Sequence, residues 1–271
     1  MPSVAIPTPA AQVSQAAVSP YSAGMEHLYR RWEWAERSID GVCREASSFM
    51  IKKPCVVETQ DDVDGNRTFR VRTLRSVPNH LSLMLGDTLQ ALRSPLDNLV
   101  WDLALKQTAT PPESTRFPIT RTPASWNSAA GQLNQVIAAP ALAIIDQVQP
   151  YHADPDANPL WQLHRLAIED RHRTLVLAFH VATSAMFTAW GPPGNKPNPE
   201  LHLGAVADGD QIGLWKLEGD WIQLGLPPIS FTWDLAFDQA GPAQGRLICS
   251  GLLEYSNAVR SVLDQFQQFF P

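Results

Sequence analysis

Residues 159–179, PLWQLHRLAIEDRHRTLVLAF, decide how the chain is read. The stretch opens as a helix: Asn158 is a good N-cap, and Pro159 suits the first helical position, where its missing N–H would be unpaired anyway. Apolar Trp161, Ile168, Leu175 and Phe179 share one side when residues are placed about 100° apart. On this spacing the expectation is a core helix through Phe179. Its middle, however, carries His164, Arg165, Glu169, Asp170, Arg171, His172 and Arg173. Arg165 and His172 nearly eclipse, with Glu169 about 40° away, so the ionisable group does not lie opposite the apolar stripe as on a plain surface helix. Such a cluster is either a solvated face with internal ion pairs or a site to which another element brings partners.

Working outward, 271 residues with 44% hydrophobic content supply one large core or two small ones. A net charge of −6 argues against a broad electrostatic grip on nucleic acid and leaves room for a local basic patch. Cys43, Cys55 and Cys249 form no C-x-x-C pair and no even disulfide set, which points to a reduced, cytoplasmic compartment. The start, with Pro2, Pro7 and Pro9 and no basic region, reads as a disordered tail over 1–20. The longest run without Asp, Glu, Lys or Arg, 174–195, is broken by His180 and a Gly-Pro-Pro-Gly string, so no membrane span is expected.

A helix is predicted over 22–52, where Leu28, Trp32, Ala35, Ile39, Val42, Ala46 and Phe49 keep the three-and-four spacing of one buried face. A β-hairpin follows within 54–75, its turn rich in Asp61, Asp62, Asp64, Gly65 and Asn66. Residues 60–71 lack the carboxylates that a calcium loop needs at its first and twelfth positions, so a turn is expected there. A second long helix is predicted over 79–106 on a leucine seam from Leu81 to Leu103, with a kink or restart near Ser94-Pro95. Two short helices (123–137 and 140–148) precede the charged helix. Residues 180–190 fit helix or strand. Strands at 201–206, 211–218, 221–226 and 229–237 suggest an antiparallel meander, and a last helix covers 246–269. The sum is one α+β domain over 21–271: a bundle of about four long helices carrying an inserted hairpin and a small antiparallel sheet within 200–238.

No phosphate-cradling glycine loop, nucleophile elbow or H-E-x-x-H string occurs. Glu169-Asp170-Arg171-His172 is a single Glu-x-x-His, and a di-iron bundle needs two, so neither metal nor cofactor is expected. Arg165 and His172, with six residues between them, satisfy the Arg-(four to six)-His pattern of HEPN domains, helical bundles that include metal-independent ribonucleases. Arg75/His80 and Arg173/His180 satisfy it too, but only Arg165/His172 lies in a mixed-charge cluster on a well-supported helix. Leu166 stands where those ribonucleases tend to carry a polar residue. The resemblance implies His172 as acid/base and Arg165 as the group that stabilises phosphorane charge, with Arg93 and Arg171 on phosphate, RNA as partner and a homodimer.

The strings GDTLQALRSPLDNLVW (86–101), FPI (117–119), QPY (149–151), LWQLHR (160–165) and DRHR (170–173) together resemble a group of uncharacterised bacterial and phage proteins. This chain departs from the group at Pro95, Asn98 and Arg171. The resemblance implies no activity. It does single out two polar pieces on long helices, Arg93/Asp97 and Asp170/Arg171/His172. They are expected to meet, Arg93 pairing with Asp170 or Glu169 and Asp97 with Arg171 or His172. In a non-enzymatic ligand-binding or interaction module, the same residues would form an interhelical lock that fixes register.

Overall fold

The structure is a computed structural model and describes residues 24–64, 66–173, 175, 177–181, 186–187, 200–202, 204–215, 229–238 and 241–270. Six α-helices occur among them: α1 (Glu26–Ile51), α2 (Asn79–Leu105), α3 (Pro123–Leu133), α4 (Ala139–Gln147), α5 (Pro159–His172) and α6 (Ile248–Gln265). The expected tail at 1–20 and the strand at 221–226 lie outside the described residues.

Apolar periodicity explains the bundle. Helix α1 buries Leu28, Ala35, Ile39, Val42, Ala46 and Phe49 on one face. Helix α2 buries residues all round, including Leu81, Leu85, Leu89, Leu92, Leu96 and Leu99, because it packs against α1, α5 and α6 together. It is therefore the central post of the bundle. Helix α2 continues through Pro95 with helix on both sides, as expected, and the chain does not restart near Ser94. Asn98 Nδ2 donates to the Ser94 carbonyl at 2.8 Å, one turn back.

Helix α5 ends at His172, not at Phe179. Arg173 is extended (φ −152°, ψ 147°), and strand β3 (Leu177–Val181) follows. A spacing of four between Leu175 and Phe179 fits a helix turn, but with Leu177 between them it also fits the two-residue period of a strand. Leu175 and Phe179 are both buried, Phe179 on β3 and Leu175 just ahead of it. The described part of 180–190 is likewise strand, through Val181 and β4 (Met186–Phe187).

The hairpin pairs β1 (Cys55–Asp61) with β2 (Arg67–Thr73), Glu58 opposite Arg70. Asp62 closes its turn, Oδ1 accepting from the Asp64 and Asn66 amides at 2.9 and 2.8 Å. The hairpin is not isolated. Its second strand pairs with β7 (Gln211–Trp215), which pairs in turn with β5 (Glu200–Leu201). A second sheet orders β6 (Gly204–Val206), β3 and β9 (Trp233–Phe237), and β4 pairs with β8 (Ile229–Ser230). The expected inserted hairpin and those late strands that fall within the described residues are thus present, but β7 and β5 extend the hairpin while β3, from the end of the charged stretch, joins β6 and β9.

The cysteines depart from expectation. Cys43 on α1 and Cys249 on α6 form a disulfide across 206 residues, with Cα atoms 5.7 Å apart. Cys55 remains a free, buried thiol whose pKa burial pushes up to about 11. No described helix is long and apolar enough to cross a membrane.

Candidate functional site

Helices α2 and α5 lie antiparallel, and three contacts set their register. Asp170 packs its carboxylate against Gly86, where any Cβ would fall inside the carboxylate's van der Waals radius. One turn further along α2, Gln90 Nε2 donates to the Ala167 carbonyl at 2.7 Å. One turn further again, Arg93 Nη1 donates to His164 Nδ1 at 2.9 Å. As α2 advances by a turn, α5 retreats by one.

Arg93 is only 5% exposed, so each of its donors must be satisfied from within the protein. Besides His164, its Nη2 donates to the Phe117 carbonyl at 2.9 Å and lies 3.4 Å from Asp97 Oδ1. Asp97 Oδ1 accepts the Phe117 amide at 3.1 Å. Phe117 is thus gripped through both backbone groups by two residues one turn apart on α2, and its ring is fully buried. Gln149 extends the grip. Its Oε1 accepts from the Thr120 amide and hydroxyl at 2.9 and 3.0 Å, and its Nε2 donates to the Pro118 and Ile145 carbonyls, each at 2.9 Å. The Leu-Arg-Ser-Pro-Leu-Asp, Phe-Pro-Ile and Gln-Pro-Tyr segments therefore meet in one clamp, with α5 held against it by Arg93 and His164.

This arrangement corrects the expected cross-helix pairs. Arg93 takes His164, Phe117 and Asp97 as partners, and neither Asp170 nor Glu169. Asp97 takes Phe117 and Arg93, and neither Arg171 nor His172. The antiparallel register puts Arg93 opposite His164, six residues and so about 9 Å of helix from Asp170. Asp170 sits beside Gln90 and Asp87; burial chiefly, then the Asp87 charge, holds its carboxyl above the usual range. Arg171 Nη2 donates to Gln90 Oε1 at 3.3 Å, and Glu169 pairs with Arg173 at 3.6 Å on its own helix.

His164 was the partner missed. An arginine only donates, so Nδ1 must accept and the proton of the neutral ring resides on Nε2. Burial, then the Arg93, Arg165 and Arg171 charges, pulls its pKa from 6.5 down to about 4, so the ring is neutral at physiological pH. No sequence signal distinguishes His164 from its ionisable neighbours, because only the register selects it. A second pair, His27 Nε2 to Asp102 Oδ2 at 2.7 Å, joins α1 to α2 on the side opposite Arg93. Asp102 is 6% exposed, and burial holds its carboxyl above the usual range despite His27. An aspartate inside the apolar run 99–105 was the available sign.

Arg165 and His172 stand apart from all this. Both are exposed on α5, and neither has a carboxylate or hydrogen-bond partner among the described residues. Compared with protein family models, curated proteins and solved structures, the chain has no match.

Two outcomes are expected. Gly86→Ala gains about 1 kcal/mol of helix propensity, yet forces Asp170 out of its notch and should lower stability by a net ~1–2 kcal/mol in urea unfolding. Adding Asp170→Ala should restore most of that loss, whereas equal loss in the double variant would place Asp170 elsewhere. The second outcome concerns pH. Because folding favours neutral His164, its contribution is complete above pH 6.5 and is lost as pH falls toward about 4. His164→Gln keeps an acceptor for Arg93 without titrating. Its stability relative to the wild type should therefore rise by roughly 2–3 kcal/mol between pH 7 and pH 4, and a difference independent of pH would contradict the assignment.

Proposed function

We propose that α5 presents an RNA-phosphate-engaging face and that the protein is a HEPN-like, metal-independent ribonuclease or RNA-processing factor of the cytoplasm. The observation that carries this reading is the free condition of Arg165 and His172: both are exposed, on one face of α5, with no described carboxylate on either. A structural ion-pair network would have consumed them, as it consumes Arg93 and Asp97. Local potential supports the reading. Arg116 and Arg171 oppose the charge on Arg93 while Asp97 favours it, and Arg93, Arg165 and Arg171 all oppose charge on His164, so several arginines gather at the Arg165 end of the face in a chain of net charge −6.

In this reading His172 exchanges the proton with the ribose hydroxyl and leaving oxygen, a role histidine can fill near neutral pH. Arg165 stabilises charge on the phosphorane, and Arg171, steadied by Gln90, holds a flanking phosphate. Seven helical positions separate Arg165 from His172, about 10 Å of rise. One phosphate touching both therefore favours a pair of chains that supply the two groups across a two-fold axis. Arg93 and Asp97 belong to the scaffold. With Arg93 spent on the α2–α5 lock and Asp97 on Phe117, a non-enzymatic ligand-binding or protein-interaction module is the second reading.

The test is incubation of the purified protein with mixed-sequence RNA in the presence of a chelator. Cleavage is expected, and His172→Ala should slow it by about 100-fold or more, the usual scale of a lost acid/base group. RNA bound but left intact selects the module. Cleavage unchanged in both Arg165→Ala and His172→Ala removes the proposed catalytic pair.

A further inference from the structure

We infer that the Cys43–Cys249 disulfide is a thiol-exchange site, opened from the α1 side by a small anionic thiol of the glutathione class. Both cysteines are half-buried, so the bond is neither sealed in the core nor fully exposed. An open groove of about 620 Å³ lies along the outer stripe of α1 and is lined by Cys43, whereas Cys249 does not line it. Exchange requires the attacking sulfur to approach one sulfur while the other departs. Approach through this groove therefore makes Cys43 the sulfur attacked and Cys249 the sulfur released.

The surroundings of both atoms suit those roles. Among the described residues, Arg44 and Lys52 bring two cations to the groove against the one carboxylate of Asp40, and Ser47 and Ser48 add hydroxyls. A small thiol carrying carboxylates is favoured there over a neutral one. Cys249 is the second residue of α6, whose N-cap Leu247 provides no side-chain acceptor. No side chain caps the first turn of α6, so the positive end of the helix faces a thiolate departing at Cys249.

The chemistry balances in two steps. A thiolate RS⁻ forms a bond to Cys43 Sγ and breaks the Cys43–Cys249 bond, leaving Cys249 as thiolate. A second RS⁻ attacks the mixed disulfide and releases RSSR, leaving Cys43 as thiolate. Two small thiols are oxidised, and the protein disulfide gains two electrons. Opening the bond does not part the helices. Trp32 Nε1 still donates to Ser256 Oγ at 2.8 Å, and the Tyr29 hydroxyl to Asp264 at 2.7 Å. The cytosol holds its disulfides mostly as transient or sensing ones, which reconciles this bond with the proposed cytoplasmic setting.

The experiment uses the native full chain with reduced glutathione, quenched by alkylation and mapped by mass spectrometry. The expected result is a glutathione adduct on the Cys43 peptide, an alkylated Cys249, and a buried Cys55 that stays unmodified. Arg44→Glu with Lys52→Glu, both exposed positions, should slow the reaction with glutathione by about tenfold and leave that with neutral 2-mercaptoethanol unchanged. An adduct on Cys249, a bond inert until denaturant is added, no Cys43–Cys249 bond in the purified protein, or equal slowing with both thiols would each overturn the inference.

Discussion

Arg93 carries a positive charge into a helix interface from which water is nearly excluded, and the parts of the molecule around it are arranged to meet that demand. An unpaired buried guanidinium would cost several kcal/mol, so its partners cannot be left to chance. They come from three separate places: a histidine on α5, a backbone carbonyl in the loop after α2, and an aspartate one turn along α2 itself. Each partner also positions something else. His164 fixes the register of α5, Phe117 pins the loop and buries its ring, and Asp97 closes the grip by taking the Phe117 amide. Saturating one charge thereby orders the loop, the helix and the junction with Gln149.

That demand separates two kinds of polar residue on α5. Those facing α2 are consumed: His164 is kept neutral, Asp170 lies in the notch at Gly86, and Arg171 leans on Gln90. Those turned outward, Arg165 and His172, are left with solvent. The inner set fixes the helix against its neighbour, and the outer set places one arginine and one histidine side by side on a rigid support. A seam built in this way also bears on the disulfide. It holds α5 to α2 independently, so the α1–α6 bond can open without loosening the outer face.

Within single elements, much of this was legible from the chain. The three-and-four spacing of Leu81 to Leu103 marks α2 almost to the residue, and Asn158-Pro159 marks the start of α5. The clustering of Arg93, Asp97 and the Asp170–Arg173 segment on two helices also pointed to the right seam. What periodicity does not encode is the relation between elements. A helical wheel does not fix where α5 stands along α2, and a difference of six residues decides whether Asp170 or His164 meets Arg93. The Cys43–Cys249 bond spans 206 residues, and its pairing depends on α1 and α6 lying side by side, which neither helix states alone. The early end of α5 escaped for a different reason, because Leu175, Leu177 and Phe179 suit both periods. The outward placement of Arg165 and His172 was not legible either: the helical wheel set them near Trp161 and Ile168, whereas α5 buries Leu160, Leu163, Leu166 and Ala167 instead.

The register is the claim on which the assignment of inner and outer residues rests, and a pair of double-mutant cycles measures it. Arg93→Ala is combined once with His164→Ala and once with Asp170→Ala, with stability read by denaturant unfolding. The account predicts a coupling above ~1 kcal/mol for Arg93 with His164, and additivity within ~0.5 kcal/mol for Arg93 with Asp170. Strong coupling to Asp170 with none to His164 would mean that α5 lies six residues away from the position described, and would contradict it.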